Sequence, residues 1–483
     1  MLSSISRSKI YIPLFFVLLS VIYGLFCIDG SPFFKILYFT DSATYQIMGQ
    51  GILEGKLPYR DLFEHKGIAF FFLEALIMLL KSWGLNGLFI VETVFFLLGI
   101  SYLYKICRIY LPPAYSLSVC VLYTFLFTKG IIGGNLIEEY ANSIMFVGTF
   151  YMLQILLKKE VSSRNFFIIG LTFAFNFLTK PNMCIPWAAF GLTYPLIAFK
   201  GKRFATLLKE GVWIILGIIT TIALPLSYLL YHNLWNDFIY GFWTMNFSYD
   251  NGTLPEKIAS GRHLLLYVAG KPFPHLSLVS ILGFILFIPC ALQRGRKTEF
   301  LFLFVTFLLS FILGLFSGRA YIHYITTVLF GLTLGLILFV RIFRNLRKTG
   351  WLTLIVCLCF FANQCRERFQ FFTNPPWDRY LRAATFLEDK VDPTKKEELL
   401  VLGHGSGIYL KLNLPVDFKF FHADGIWFAH KDVQKETFRY VEEKRPHFLV
   451  LSRGVNFKRR YRRLKKIVEK HYKEVFPRVY ERK

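Results

Sequence analysis

The chain is short of charge, and of acid above all: charged residues make up 18% of its 483 positions, with 31 Asp and Glu against 56 Lys and Arg. Its eight cysteines are scattered, mostly inside apolar runs, and no C-x-x-C pair occurs. Neither a cysteine zinc site nor a disulfide framework is therefore indicated. No small-residue cleavage site follows the first apolar run, which has Arg7 and Lys9 before it, so that run reads as a retained signal anchor. No Walker lysine follows His404-Gly405-Ser406-Gly407, which reads as an ordinary strand-to-helix turn and not as a phosphate loop. No internal repeat is visible. The net charge of +25 invites a nucleic-acid reading, but the cations sit in short clusters between apolar runs and in the tail. That pattern belongs to topology signals and anionic headgroups, so no nucleic-acid partner is expected.

What the chain does have is apolar length. Hydrophobic residues are 54% of it and aromatic residues 18%, and apolar runs near twenty residues recur. This is the composition of a polytopic membrane protein. Spans are predicted near residues 10–29, 88–104, 115–127, 140–157, 165–179, 183–199, 213–231, 276–292, 300–316, 320–340 and 351–363, about eleven by the twenty-residue criterion. The run Ile68–Leu80 is too short for a crossing and carries Glu74, so it is expected to lie at the interface. With that choice every short basic connector falls on the cytoplasmic side, including Lys105 with Arg108, Lys158 with Arg164, Arg294–Lys297 and Arg341–Lys348. The expected organisation is a transmembrane domain over 1–364, with a first outer loop at 30–67 and another at 232–275, followed by an extracytoplasmic α/β domain over 365–483. In that last domain, helices are predicted at 377–389 and 432–444 and strands at 399–403 and 447–451. Its basic tail from Arg453 reads as a solvated helix or as a contact for anionic lipid or glycan.

The longest polar stretch of the apolar part runs from Tyr38 to Gly67. It holds an isolated acid, Asp41, then a short amphipathic run through Tyr45, Ile47, Met48, Ile52 and Leu53. A turn at Gly55 and Pro58 leads to a second cluster, Arg60, Asp61, Glu64, His65 and Lys66. On the same side of the membrane the topology places Glu138 and Glu139, the turn Lys180-Pro181-Asn182, and Arg262. Acids and bases gathered just outside a bilayer suit group transfer on a lipid-borne substrate.

The pattern D-x-x-x-Y-x-x-x-G-x-x-I-L-x-G-x-x-P-Y-R-D-x-x-E-H-K-G, here Asp41 to Gly67, resembles the first outer loop of bacterial GT-C glycosyltransferases related to protein O-mannosyltransferases and lipid A aminoarabinose transferases. Asn135-Leu-Ile-Glu138-Glu139-Tyr140, Leu178-Thr-Lys180-Pro-Asn182 and Gly318-Arg319-Ala-Tyr321-Ile-His323-Tyr324 resemble later family motifs in the family's order. Two departures stand out: Ser42 where many relatives have a second acid, and Lys66-Gly67-Ile68 where many have Lys-Pro-Pro.

The resemblance implies a mainly α GT-C membrane fold in a bacterial cytoplasmic (inner) membrane, with active site and C-terminal domain extracytoplasmic. It implies a hexosyl- or pentosyltransferase that moves a sugar from a polyprenyl-phosphate donor to a lipid, polysaccharide or protein hydroxyl, with inversion. In that scheme Asp41 is the general base and Glu138 or Glu139 assists it or orients the acceptor, while Lys66, Lys180 and Arg319 or Arg262 share the phosphate. His65, His323 and Tyr324 join the donor site. No metal ligand is assigned; a divalent cation stays open, though Ser42 beside Asp41 weakens any pair of adjacent carboxylates.

Blander readings accompany these roles. Asp41 suits an N-cap or first-turn acid, one of Glu138 and Glu139 is expected only to face water, and Lys180 is a candidate for snorkelling toward headgroups. A transporter or flippase of lipid-linked glycans, or a non-catalytic glycan-lipid-binding homologue, is the alternative function. The concentration of polar groups in outer loops, away from the bilayer midplane, favours the enzyme.

Overall fold

The computed structural model describes residues 2–34, 40–131, 133–158, 161–200, 204–249, 253–270, 275–293, 295–315, 321–373, 378–395, 397–423, 430–452 and 461–483. They form two compact units, one of residues 1–33, 89–227 and 252–369, the other of 34–88, 228–251 and 370–483.

The first unit is helical. Helices stand at each predicted span: Leu2–Cys27, Gly87–Tyr110, Pro113–Gly130, Ile137–Leu156, Ser163–Thr179, Ile185–Lys200, Phe204–Tyr231, Leu276–Gln293, Lys297–Leu315, Ile325–Val340 and Arg347–Thr373. Among the described residues, six stretches are long and apolar enough to cross a membrane: Ile10–Cys27, Gly87–Tyr110, Thr206–Tyr231, Leu276–Gln293, Lys297–Gly314 and Ile322–Phe343. Their burial differs widely. Ile322–Phe343 is 78% buried and forms the unit's interior, whereas Thr206–Tyr231 is 17% buried and offers its apolar side chains outward, as a lipid-facing helix must.

Apolar attraction gives membrane helices little reason to associate, so close backbone approach carries the packing. A Cβ at Gly283 would lie 2.1 Å from the carbonyl oxygen of Gly335, and one at Gly170 would lie 2.0 Å from that of Ile214. Both crossings therefore require glycine.

The second unit contains a four-stranded sheet formed by β1 (Leu399–Leu402), β2 (Phe448–Leu451), β3 (Tyr472–Phe476) and β4 (Val479–Arg482), in the order β1-β2-β4-β3. β1 and β2 are parallel with Leu400 opposite Leu449, and β4 runs antiparallel to both β2 and β3. Both parallel strands are buried throughout, matching their uninterrupted apolar sequence. Helices Asp378–Leu387 and Lys431–Glu443 fall where expected, and the His404–Gly407 turn joins β1 to the helix Gly407–Leu412.

Two expectations are corrected. The basic tail is a helix only over Arg462–His471, anchored by buried Leu464, Ile467 and Val468, and residues 472–482 form a strand pair that extends the sheet. Pairing with β2 settles those strands, a tertiary effect that the tail's composition does not announce. The segment 232–275, expected as a loop, is largely helical, including Trp235–Phe238, a π-helical turn Ile239–Thr244, Met245–Tyr249 and Leu254–Gly270. Its aromatics drive this: Phe238 stacks on Phe242 at 5.0 Å and meets Tyr59 at 5.7 Å.

The segment 40–67 belongs to this second unit. Helix Thr40–Leu53 lies against helix Ile68–Ser82 so closely that a Cβ at Gly49 would come within 2.4 Å of the Glu74 backbone. Ile68–Ser82, at 15 residues, is not among the stretches long enough to cross. Phe63 is a member of the core formed by Leu400, Leu402, Phe418, Phe420, Leu449 and Leu451. Its ring lies 5.2 Å from that of Phe420, and its N–H donates to the Lys419 carbonyl at 3.0 Å. Burying one such ring stabilises by roughly 1.5–3 kcal/mol. It also fixes the three residues that follow it.

Candidate functional site

In the second unit, Asp41 is the second residue of helix Thr40–Leu53, a first-turn acid with an exposed side chain and no ion-pair partner among the described residues. The helix N-terminus favours its negative charge. Ser42, where relatives often carry an acid, is fully buried and accepts from Gln46 Nε2 at 3.1 Å. A carboxylate in that place would face a heavy desolvation cost.

The Glu64-His65-Lys66 run forms a connected relay. His65 Nδ1 lies 2.6 Å from Glu64 Oε1, and the His65 backbone N–H donates to the same oxygen at 3.0 Å. Lys66 Nζ lies 2.7 Å from His65 Nε2 and 3.8 Å from Glu64 Oε1. A lysine ammonium only donates, so Nε2 accepts and the ring proton sits on Nδ1, facing Glu64. The second oxygen of Glu64 lies 3.2 Å from Nε2 of His422, which also approaches the Phe63 carbonyl at 2.9 Å.

The surrounding backbone is held as well. Asn246 donates to the His65 carbonyl at 2.8 Å and the Tyr59 hydroxyl to that of Lys66 at 2.7 Å. Tyr59 is wholly buried with φ of 67°, an uncommon left-handed conformation for a bulky residue. Burial pushes the Glu64 carboxyl up, but His65 beside it, the Lys66 charge and the approach of His422 outweigh it. The group ends well below the usual carboxylate range.

In the first unit, Glu138 and Glu139 open helix Ile137–Leu156 and are both buried, at 2% and 7% exposure. The expectation that one faces water is thus corrected. Successive side chains on a helix point about 100° apart, so the two acids serve different partners. Glu138 pairs with the Lys180 ammonium and lies 3.7 Å from His323 Nε2. Lys180 also sits 4.5 Å above the Tyr324 ring, and Tyr321 stacks on His323 at 5.5 Å.

Asn176 sets this geometry, bonding from its amide to the carbonyls of Met183 and Ala141, each at 3.2 Å. It thereby ties the Lys180 turn to the helix of Glu138. Glu139 instead accepts the Leu136 N–H at 3.1 Å, as a helix N3 acid does, and the Tyr23 hydroxyl at 2.8 Å. Arg262 is exposed on helix Leu254–Gly270, and Arg319 lies outside the described residues.

The structure thus gathers Glu138, Lys180, His323 and Tyr324 in one unit, and His65 with Lys66 in the other. Sequence reasoning missed the roles of Glu64, Tyr23, Asn176 and His422. Glu64 was adjacent to the predicted pair, whereas His422 carried no local signal. Among the described residues no group of three or more His, Cys, Asp or Glu side chains is arranged to hold a metal ion.

No protein-family model matches the chain, and no curated protein matches it by sequence. Solved structures do. ArnT from Cupriavidus metallidurans bound to undecaprenyl phosphate is similar with a TM-score of 0.63 and 12% identity, over 98% of this chain and 97% of that one. Its apo state matches with the same score and identity over 93% of each chain. An oligosaccharyltransferase from Archaeoglobus fulgidus, in complex with zinc and sulfate, matches at 0.52 and 10% identity, over 90% of this chain and 67% of that one. The chain has the GT-C fold, that of a polytopic membrane protein with a small C-terminal α/β domain.

Proposed function

We propose that this GT-C chain is a membrane glycosyltransferase that moves a sugar from a polyprenyl-phosphate donor to an extracytoplasmic cell-envelope hydroxyl, with inversion. The observation that carries the reading is the near full-length likeness to a protein whose structure holds undecaprenyl phosphate. A lysine ammonium pinned by its neighbours, in the segment that resembles the family's first outer loop, supports it. In this reading the acceptor oxygen attacks the anomeric carbon from the face opposite the phosphate. The C1–O bond breaks, its electron pair stays on the phosphate oxygen, and the acceptor proton passes to Asp41, whose exposed carboxylate suits a general base. Lys66 offers its remaining N–H groups to the departing phosphate, and His65 orients it.

The test is the linkage formed by the purified enzyme and by Asp41→Asn. The reading expects a product of anomeric configuration opposite to the donor's. It also expects a loss of at least about a hundredfold in the mutant, the lower part of the general-base range. Retained configuration, or an Asp41→Asn enzyme as fast as wild type, would overturn it.

A further inference from the structure

We infer that His422, in the C-terminal part of the second unit, is a positioning residue for the donor phosphate, acting on Lys66 through Glu64 and His65. This rests on the reading of Lys66 as a phosphate ligand. The chain of contacts is continuous. The His422 Nε2–H is shared between Glu64 Oε2 at 3.2 Å and the Phe63 carbonyl at 2.9 Å. Glu64 Oε1 lies 2.6 Å from His65 Nδ1, and His65 Nε2 accepts from Lys66 at 2.7 Å. The four side chains thus form one unbroken run of polar contacts from His422 to the Lys66 ammonium.

The far end is rigidly mounted. Ala423 donates to the Phe420 carbonyl at 3.0 Å and its own carbonyl accepts from Gly403, just after β1, at 2.8 Å. Phe420 lies in the sheet's core. His422 and Glu64 are themselves buried, at 8% and 4% exposure. A free lysine has four rotatable side-chain bonds and strong hydration, whereas one tied to a fixed imidazole nitrogen points in one direction. Without His422, the second oxygen of a buried carboxylate loses its side-chain donor. Glu64 is then free to turn away from His65, and the aim of Lys66 is lost. The α/β domain thus takes part in donor recognition through one histidine.

The experiment measures binding of undecaprenyl phosphate and of undecaprenol, which lacks the phosphate, to the full chain in lipid nanodiscs, with melting temperature recorded in parallel. Wild type should prefer the phosphate, and Lys66→Ala should lose the preference. His422→Leu should weaken undecaprenyl phosphate about tenfold and leave undecaprenol unchanged, the scale of one charged hydrogen bond. His422→Gln, which keeps an N–H donor, should recover most of the loss. Wild-type preference in His422→Leu while Lys66→Ala loses it would overturn the inference and leave the donor-site reading standing. So would equal weakening in the Leu and Gln variants. Preference retained in Lys66→Ala would overturn both. If His422→Leu melts early, Glu64→Gln carries the test: the same tenfold loss is expected, and unchanged affinity overturns the inference.

Discussion

Replacing Lys180 by Met keeps the length of the side chain and deletes the ammonium that pairs with Glu138. The carboxylate left behind has a side chain 2% exposed, and His323 Nε2 lies 3.7 Å from it. Breaking a buried pair from one side costs about 3–5 kcal/mol. The His323 contact offsets part of this, so the lower end, about 3 kcal/mol, is expected. At roughly 2–4 °C per kcal/mol for a unit of this size, the melting temperature of the purified chain in detergent should fall by about 6–12 °C. The double variant Lys180→Met with Glu138→Gln removes both charges and should return to within about 1 kcal/mol of wild type. A double-mutant cycle by thermal melting reads the coupling directly. A Lys180→Met protein that melts within about 1 kcal/mol of wild type would instead mark Lys180 as a headgroup-facing lysine, with an exposed-pair energy and no buried partner.

Three further outcomes follow from the packing. Phe63→Ala should cost about 3–5 kcal/mol, the usual penalty for emptying a core ring site, and should make the segment 54–67 a site of early proteolytic cleavage. Glu64, held below its ordinary value by His65, Lys66 and His422 and facing buried Tyr59, contributes stability that is complete above the unfolded carboxylate pKa of about 4.3. That contribution is lost as pH falls through the lower folded value. A Glu64→Gln protein should therefore show a shallower acid-side loss of melting temperature than wild type; equal slopes would contradict this. Gly283→Val should fail to accumulate as folded protein, because its Cβ would meet the Gly335 carbonyl oxygen at 2.1 Å, while a substitution at exposed Gly191 should be tolerated.

The helices of the first unit were legible because their signal is local: an apolar run of membrane length needs no partner to be read. The strands Leu399–Leu402 and Phe448–Leu451 and the turn between strand and helix at His404–Gly407 were legible for the same reason. The Lys180 turn showed in Pro181 and Asn182, although its partner Glu138, 42 residues earlier, did not. What stayed hidden is long-range. Phe63 reads as one more aromatic in a polar loop until the sheet supplies its core, and His422 lies 359 residues from the carbonyl it approaches. The final strand pair shows no period-two alternation, with Lys473 beside Glu474 and Glu481 beside Arg482, and β2 supplies the edge it needs. Adjacent Glu138 and Glu139 look interchangeable in a string of letters. On a helix they face different neighbours, and one became a partner of Lys180 while the other capped its own helix and met Tyr23.

The most direct measurement is transfer by purified full-length protein from radiolabelled polyprenyl-phosphate glucose, mannose, galactose and a uronic acid to extracted cell-envelope acceptors, beside Asp41→Asn. The glycosyltransferase account predicts label moving from one of these donors into an envelope acceptor with wild type and no comparable transfer with the mutant. Wild type and mutant that bind the lipid equally, with no transfer from any donor, would contradict it.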